Sequence, residues 1–215
     1  EILIGGKQNR VLRDDILLPP ASGPRTVAVY CVEQGRWNEG RRDFESKSTF
    51  AQPGLRREVY DRAPQARVWS EVNRAARAAA APPSPTASYQ EIYEQPMVRK
   101  ELDEAERSLD VKASVAAVGA AVFVGTSFSG LDFFRDGGLF ARQWRKLLRA
   151  HALEAHSRPG GASVPEADLR GRLHAMLADT AAAGGSIRGS AGVGRLCEWR
   201  VDRYRGAALA HEGTI

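Results

Sequence analysis

The apolar positions of the chain keep a strand-like rhythm at first, a helical one in the middle, and a mixture of both toward the end. The opening Ile2-Leu3-Ile4 run stops at Gly5-Gly6, and Lys7 to Leu12 is an extended polar and apolar stretch. Asp14-Asp15 turns into Ile16-Leu17-Leu18, closed as a strand by Pro19-Pro20. After Gly23-Pro24, the β-branched and aromatic stretch from Thr26 to Val32 predicts another strand. Residues 38–54 are polar and rich in Gly, Arg and Ser, and predict a long irregular excursion. Val68, Val72, Ala75, Ala76 and Ala79 then share one helical face up to Pro82-Pro83, and Ala80 to Ala87 has a linker composition. Ser88 and Glu91 form a capping-box pattern ahead of Tyr89, Ile92 and Tyr93. Pro96 should break that helix before Leu102, Ala105 and Leu109 continue it.

Farther on, Val115 to Val124 and Phe128 to Phe134 flank Gly125-Thr126-Ser127, which reads as a hairpin with a three-residue loop. A helix over about 138–156 carries Phe140, Trp144, Leu147, Leu148 and His151 on one arc and Arg142, Arg145, Lys146 and Arg149 on the other. Another helix begins at Pro165, with Leu169, Leu173, Met176 and Leu177 inward. A glycine-rich loop, 184–194, leads to a strand from Leu196 to Val201 and a final strand near Ala207. The pattern predicts an α+β fold: a β-rich part over 1–54, a helical part over 55–110 and an α+β part over 111–215, packed as one compact domain. Because the chain opens inside an apolar stretch, a further N-terminal segment is expected ahead of it.

With 215 residues, 43% hydrophobic and 27% charged, the chain can bury a core without staples, so neither disorder nor a fibrous fold is expected. No apolar run reaches the roughly 18 residues of a membrane span, so a cytoplasmic protein without membrane association is expected. Cys31 and Cys197 alone make no disulfide framework or four-cysteine zinc site. The net charge of +5 invites nucleic acid. It is carried by 26 Arg against 5 Lys, beside abundant Ala and Gly, which looks like a bacterial coding bias. Residues 81–110 are acidic and no block of five like charges occurs, so nucleic acid is not the expected partner. The basic face of helix 138–156 reads as the solvated side of a core helix.

His151-Ala-Leu-Glu154-Ala-His156 places its histidines five apart, about 140° around a helix, which is not the spacing of a zinc protease, and His151 sits on the apolar stripe. Gly189-Ser-Ala-Gly192-Val-Gly194 follows a helix and precedes a strand, the reverse of a phosphate-binding turn. No Gly-x-Ser-x-Gly elbow, metal-ligand spacing or cofactor motif is present, so neither metal nor cofactor is expected. The informative residues are polar ones on strands. Gln8, Asn9 and Arg10 are consecutive after Lys7, and Glu33 continues the face of Val27, Val29 and Cys31, with Gln34, Arg36 and Trp37 beyond it. A carboxylate carried onto a core face needs a partner, which Arg10 or Arg36 can supply. Asp132 is a second acid within an apolar strand. Either these groups form a ligand pocket, or they form a buried ion-pair and amide network that fixes the turn at Gly35.

Gly6-Lys-Gln-Asn-Arg10-Val-Leu, Val32-Glu-Gln-Gly-Arg-Trp37, Val68-Trp69 with Glu71-Val72, and Gly130-Leu-Asp132 through Trp144 to Ala155 occur in this order. Over residues 4–156 they resemble the bacterial and archaeal ADP-ribosylglycohydrolase-and-rhodanese-phosphatase-associated protein family, the Cys31–Trp37 segment most specifically. The resemblance implies a setting of ADP-ribose or NAD metabolism and assigns no residue a role. The expected function is non-catalytic binding of a nucleotide-like small molecule or a partner protein. Arg10 and Arg36 would take phosphate or carboxylate, Gln8, Asn9, Glu33 and Gln34 hydroxyls or amides, and Trp37 a base. The alternatives are a hydrolase of an ADP-ribose-like or phosphorylated substrate, with Glu33 or Asp132 as general base, and nucleic-acid binding.

Overall fold

The computed structural model describes residues 2–5, 7–35, 43–109, 117–158, 161–162, 164–202 and 204–213. The N-terminal rhythm becomes a four-stranded antiparallel sheet of β1 (Ile2–Gly5), β2 (Arg10–Leu12), β3 (Val29–Cys31) and β4 (Phe44–Ser46), in the order β3-β2-β1-β4. The strand read over Thr26–Val32 is therefore shorter than its composition suggests. The strand expected at Ile16 does not form: Leu17 alone pairs, in an isolated bridge with Val193, because Pro19 and Pro20 have no N–H for a ladder. Conversely, β4 lies within the span read as irregular. All three of its side chains are exposed, so no buried alternation marks it.

Helices α1 (Pro53–Tyr60), α2 (Gln65–Ala78), α3 (Tyr89–Glu94) and α4 (Pro96–Ser108) follow. Pro96 ends α3 at Gln95 and opens α4, the first turn being where a missing N–H costs nothing. The capping box at Ser88 does not form. Its hydroxyl accepts the Asn9 side-chain amide at 3.1 Å, and Glu91 accepts from Thr86. Ile2, Val11 and Val32 of the sheet pack with Leu55, Val68, Val72, Tyr89, Ile92, Val98 and Leu102 of these helices and Leu153 of the next in one buried cluster. Truncating a fully buried leucine here costs about 2–5 kcal/mol.

The hairpin β5 (Gly119–Val124) and β6 (Ser127–Phe133) turns through two residues, not three, with Gly125 at φ 56°. A positive φ at the first loop position is what this turn type asks of glycine. Helix α5 (Gly137–Ala155) begins where the Asp136 side chain accepts the Leu139 amide at 2.8 Å. Its basic face is more than a solvated side. Arg149 binds Asp103 and Glu106 of α4 at 2.8 and 2.6 Å, Arg145 binds Glu106 at 3.0 Å, and His156 meets Glu101 at 3.0 Å. The acidic bias of residues 81–110 and the basic face of α5 are thus two sides of one helix–helix contact.

Helix α6 (Glu166–Ala183) lies against a three-stranded sheet of β7 (Ser186–Gly189), β8 (Arg195–Val201) and β9 (Tyr204–Ala210). Of the four residues expected inward, Leu169, Leu173, Met176 and Leu177, only Met176 is buried, and Leu177 is exposed, because one sheet face covers the helix from one side only. Strand β7 falls inside the glycine-rich span read as loop. The fold is α+β as expected. Among the described residues no helix is long and apolar enough to cross a membrane.

Candidate functional site

The turn between β1 and β2 gathers several of the expected residues. Asn9 donates its amide to Glu33 Oε2 at 2.9 Å and its carbonyl accepts the Val32 amide at 3.0 Å. Arg10 donates to Gln8 Oε1 at 3.3 Å and to the Asn9 carbonyl at 3.2 Å, so it turns to its neighbours rather than to Glu33. Gln8, Asn9 and Glu33 are each 3–5% exposed, and Glu33 also bridges to Ser88 ahead of α3. The geometry is that of a hydrogen-bonded knot joining the sheet to the helices. Gln34 is exposed, and Arg36 and Trp37 lie outside the described residues.

Asp132 stands apart from this knot, where α1, β6 and α5 meet. Arg56 of α1 clasps its carboxylate with two donors, Nη1 to Oδ1 at 2.6 Å and Nη2 to Oδ2 at 3.2 Å. His151 of α5 lies between Asp132 and Ser129: Nε2 is 3.1 Å from Asp132 Oδ2 and Nδ1 is 3.0 Å from Ser129 Oγ. Residues three apart on a strand normally face opposite ways. The ladder slips here, because Val122 pairs with Gly130 and Phe123 with Phe128, leaving Ser129 as the extra residue of a bulge. The bulge puts Ser129 and Asp132 on the same imidazole. Between them Gly130 leaves room for the ring, since a Cβ there would lie 2.8 Å from His151 Cε1. Burial disfavours the Asp132 carboxylate, yet the charge of Arg56 and the bonds from His151 and Arg56 hold its pKa well below the usual range.

One turn farther along α1, an open cleft of about 530 Å³ lies between Tyr60 and Arg62, the α6 C-terminus at Ala183–Gly185, and strands β8 and β9. Its walls are rich in guanidinium. Arg62 grips both Glu198 oxygens at 2.8 Å, Arg200 meets Asp61 at 3.0 Å and the Tyr60 carbonyl at 3.3 Å, and Arg205 meets Asp61 at 2.8 Å. Arg188 reaches Glu198 at 3.0 Å and Asp14 at 2.5 Å. Hydrogen bonds from Arg188 and Arg62 keep the Glu198 carboxyl below its ordinary pKa despite partial burial. Arg62 and Arg200 keep 42% and 56% of their side chains exposed, so both have donors facing solvent. The Trp199 indole lies across Gly206, its cross-strand partner, where any Cβ would collide with the ring. The C-terminal ends of α1 and α6, at Tyr60 and Ala183, line the cleft. In the sequence this cleft is represented only locally, by Trp199-Arg200 and Arg205-Gly206 on the two paired strands β8 and β9. Its closure against Tyr60 and Arg62 is a contact across some 140 residues, which no local pattern reveals.

Among the described residues no three His, Cys, Asp or Glu side chains converge to hold a metal. The profile of the ARG and Rhodanese-Phosphatase-superfamily-associated Protein domain matches residues 1–215. The chain belongs to this family. The match to the ARG and Rhodanese-Phosphatase-superfamily-associated Protein domain takes in the last sixty residues, so the cleft walls of β8 and β9 are part of the family domain. The family name records association with ADP-ribosylglycohydrolases and with the rhodanese-phosphatase superfamily. No curated protein and no solved structure matches the chain.

Proposed function

We propose that the protein binds a nucleotide-like ligand of the ADP-ribose class in the cleft between α1, α6 and the β8–β9 hairpin. The observation that carries this reading is the mixed chemistry of the cleft wall. Half-exposed Arg62 and Arg200 suit a phosphate, which a guanidinium holds with paired donors. Backbone carbonyls at the end of α6 suit ribose hydroxyls and a base amine. The Trp199 ring suits stacking of a base. A volume of about 530 Å³ falls within the range of small-molecule sites. Glu198 is committed to two arginines, which favours binding over base chemistry in the cleft. The family's ADP-ribose setting agrees with this ligand class.

A thermal-shift panel of ADP-ribose, NAD, ADP, ribose 5-phosphate and inorganic phosphate tests it. A ligand at 100 times its Kd adds about 2.7 kcal/mol, or roughly 5–10 °C for a chain of this size. The expected order is ADP-ribose and ADP above phosphate, with the shift abolished by Arg200→Ala. A panel without any shift, or one in which inorganic phosphate alone acts, overturns the reading.

A further inference from the structure

We propose that Ser129, His151 and Asp132 form a nucleophilic relay that hydrolyses esters of small carboxylic acids, a site separate from the cleft. The distances are those of a working chain: Ser129 Oγ to His151 Nδ1 at 3.0 Å, and His151 Nε2 to Asp132 Oδ2 at 3.1 Å. His151 Nε2 faces both Asp132 Oδ2 at 3.1 Å and Arg56 Nη2 at 3.3 Å; with Nε2 donating to the carboxylate, Nδ1 is the acceptor for the Ser129 hydroxyl proton. The two ring nitrogens take the opposite places from those in the familiar protease arrangement, and the proton bookkeeping is unchanged.

Three further features separate this cluster from ordinary structural hydrogen bonding. The β-bulge exists at Ser129 itself, and it brings the hydroxyl and the carboxylate to one ring. Gly130 supplies the space that ring occupies. Arg56 fixes the carboxylate with both terminal nitrogens, while its Nε–H is buried and has no partner among the described residues.

Ser129 Oγ adds to the ester carbonyl carbon as its proton passes to His151 Nδ1. The carbon–oxygen ester bond then breaks, and the leaving alcohol takes that proton. Water next attacks the acyl-serine, giving its proton to Nδ1; the acyl–Oγ bond breaks, Oγ recovers the proton and the carboxylic acid leaves. Ser129 is 7% exposed and His151 2%, so the approach is narrow and the acyl group must be small. Arg56 and Asp132 act as positioning residues.

The test treats the full chain with a small fluorophosphonate and with p-nitrophenyl acetate, reading the modified residue by mass spectrometry. The expected result is stoichiometric labelling at Ser129, acetate release that disappears in Ser129→Ala, and at least 100-fold slower labelling in Asp132→Asn among molecules that keep a cooperative melt. The wild-type labelling stands whether or not the variants fold. Absence of label at Ser129, label spread evenly over surface serines, or undiminished hydrolysis in a folded Ser129→Ala protein overturns the proposal.

Discussion

Replacing Asp132 by Asn removes one charge from the Arg56 pair and leaves a guanidinium facing an amide. Breaking a buried ion pair by deleting one partner costs about 3–5 kcal/mol. Here Arg56 and Asp132 keep 20% and 19% of their side chains exposed, and Asn retains one acceptor oxygen. A loss of about 2–3 kcal/mol at pH 7 is therefore expected, below that range because the pair is only partly buried. Removing both charges with Arg56→Met in addition should recover part of it, giving a coupling of about 1–3 kcal/mol in the double-mutant cycle. The same pair sets an acid limb. Burial raises the Asp132 pKa, but the Arg56 charge and the hydrogen bonds of His151 and Arg56 outweigh it, so the folded value lies below the unfolded one. The stabilisation is then complete above the unfolded carboxyl value of about 3.9 and is lost as pH falls below it. Urea titrations from pH 2 to pH 7 measure both effects, and Asp132→Asn should flatten the acid limb. A cost under about 0.5 kcal/mol at pH 7, together with an unchanged acid limb, would refute the argument.

Gly130→Ala places a Cβ 2.8 Å from His151 Cε1, and should cost about 1–3 kcal/mol of urea stability. At the alkaline end, burial pushes the Tyr93 hydroxyl from 10.0 up to about 12, against the opposing pull of the Tyr89 hydrogen bond and the charges of Arg149 and Arg56. A raised folded pKa gives stability that is present below pH 10 and lost as pH rises toward 12, so melts should fall over that interval. Tyr93→Phe should lose that dependence in part, read from the ionisation absorbance and the melt together.

The helices were the legible part of the sequence because their apolar faces repeat within one segment. Val68, Val72 and Ala75 are buried as their spacing asks, and Phe140, Leu147, Leu148 and His151 line the buried side of α5. Short strands carry fewer residues and less signal. β4 exposes every side chain, β7 lies among glycines, and Ile16 to Pro20 has the composition of a strand without the donors for one. Polar residues at strand ends were visible as a class, and Gln8, Asn9, Arg10 and Glu33 do come together. What they touch was not visible, because Ser88 and Val32 reach the turn from other elements. Asp132 stood out as an acid in an apolar strand, whereas its partner Arg56 lies 76 residues away and the bulge that turns Ser129 toward His151 is a property of the ladder. His151 was readable as a core histidine, and it is one, with both nitrogens engaged.

The cleft is tested most directly by a crystal of the intact chain soaked with ADP-ribose. The expected density has the diphosphate on Arg62 and Arg200, the adenine against Trp199 and the ribose hydroxyls near the carbonyl of Ala183. Ligand density elsewhere, as at the Asn9–Glu33 knot, or an empty cleft at millimolar ADP-ribose in a lattice that leaves it open, would contradict the account.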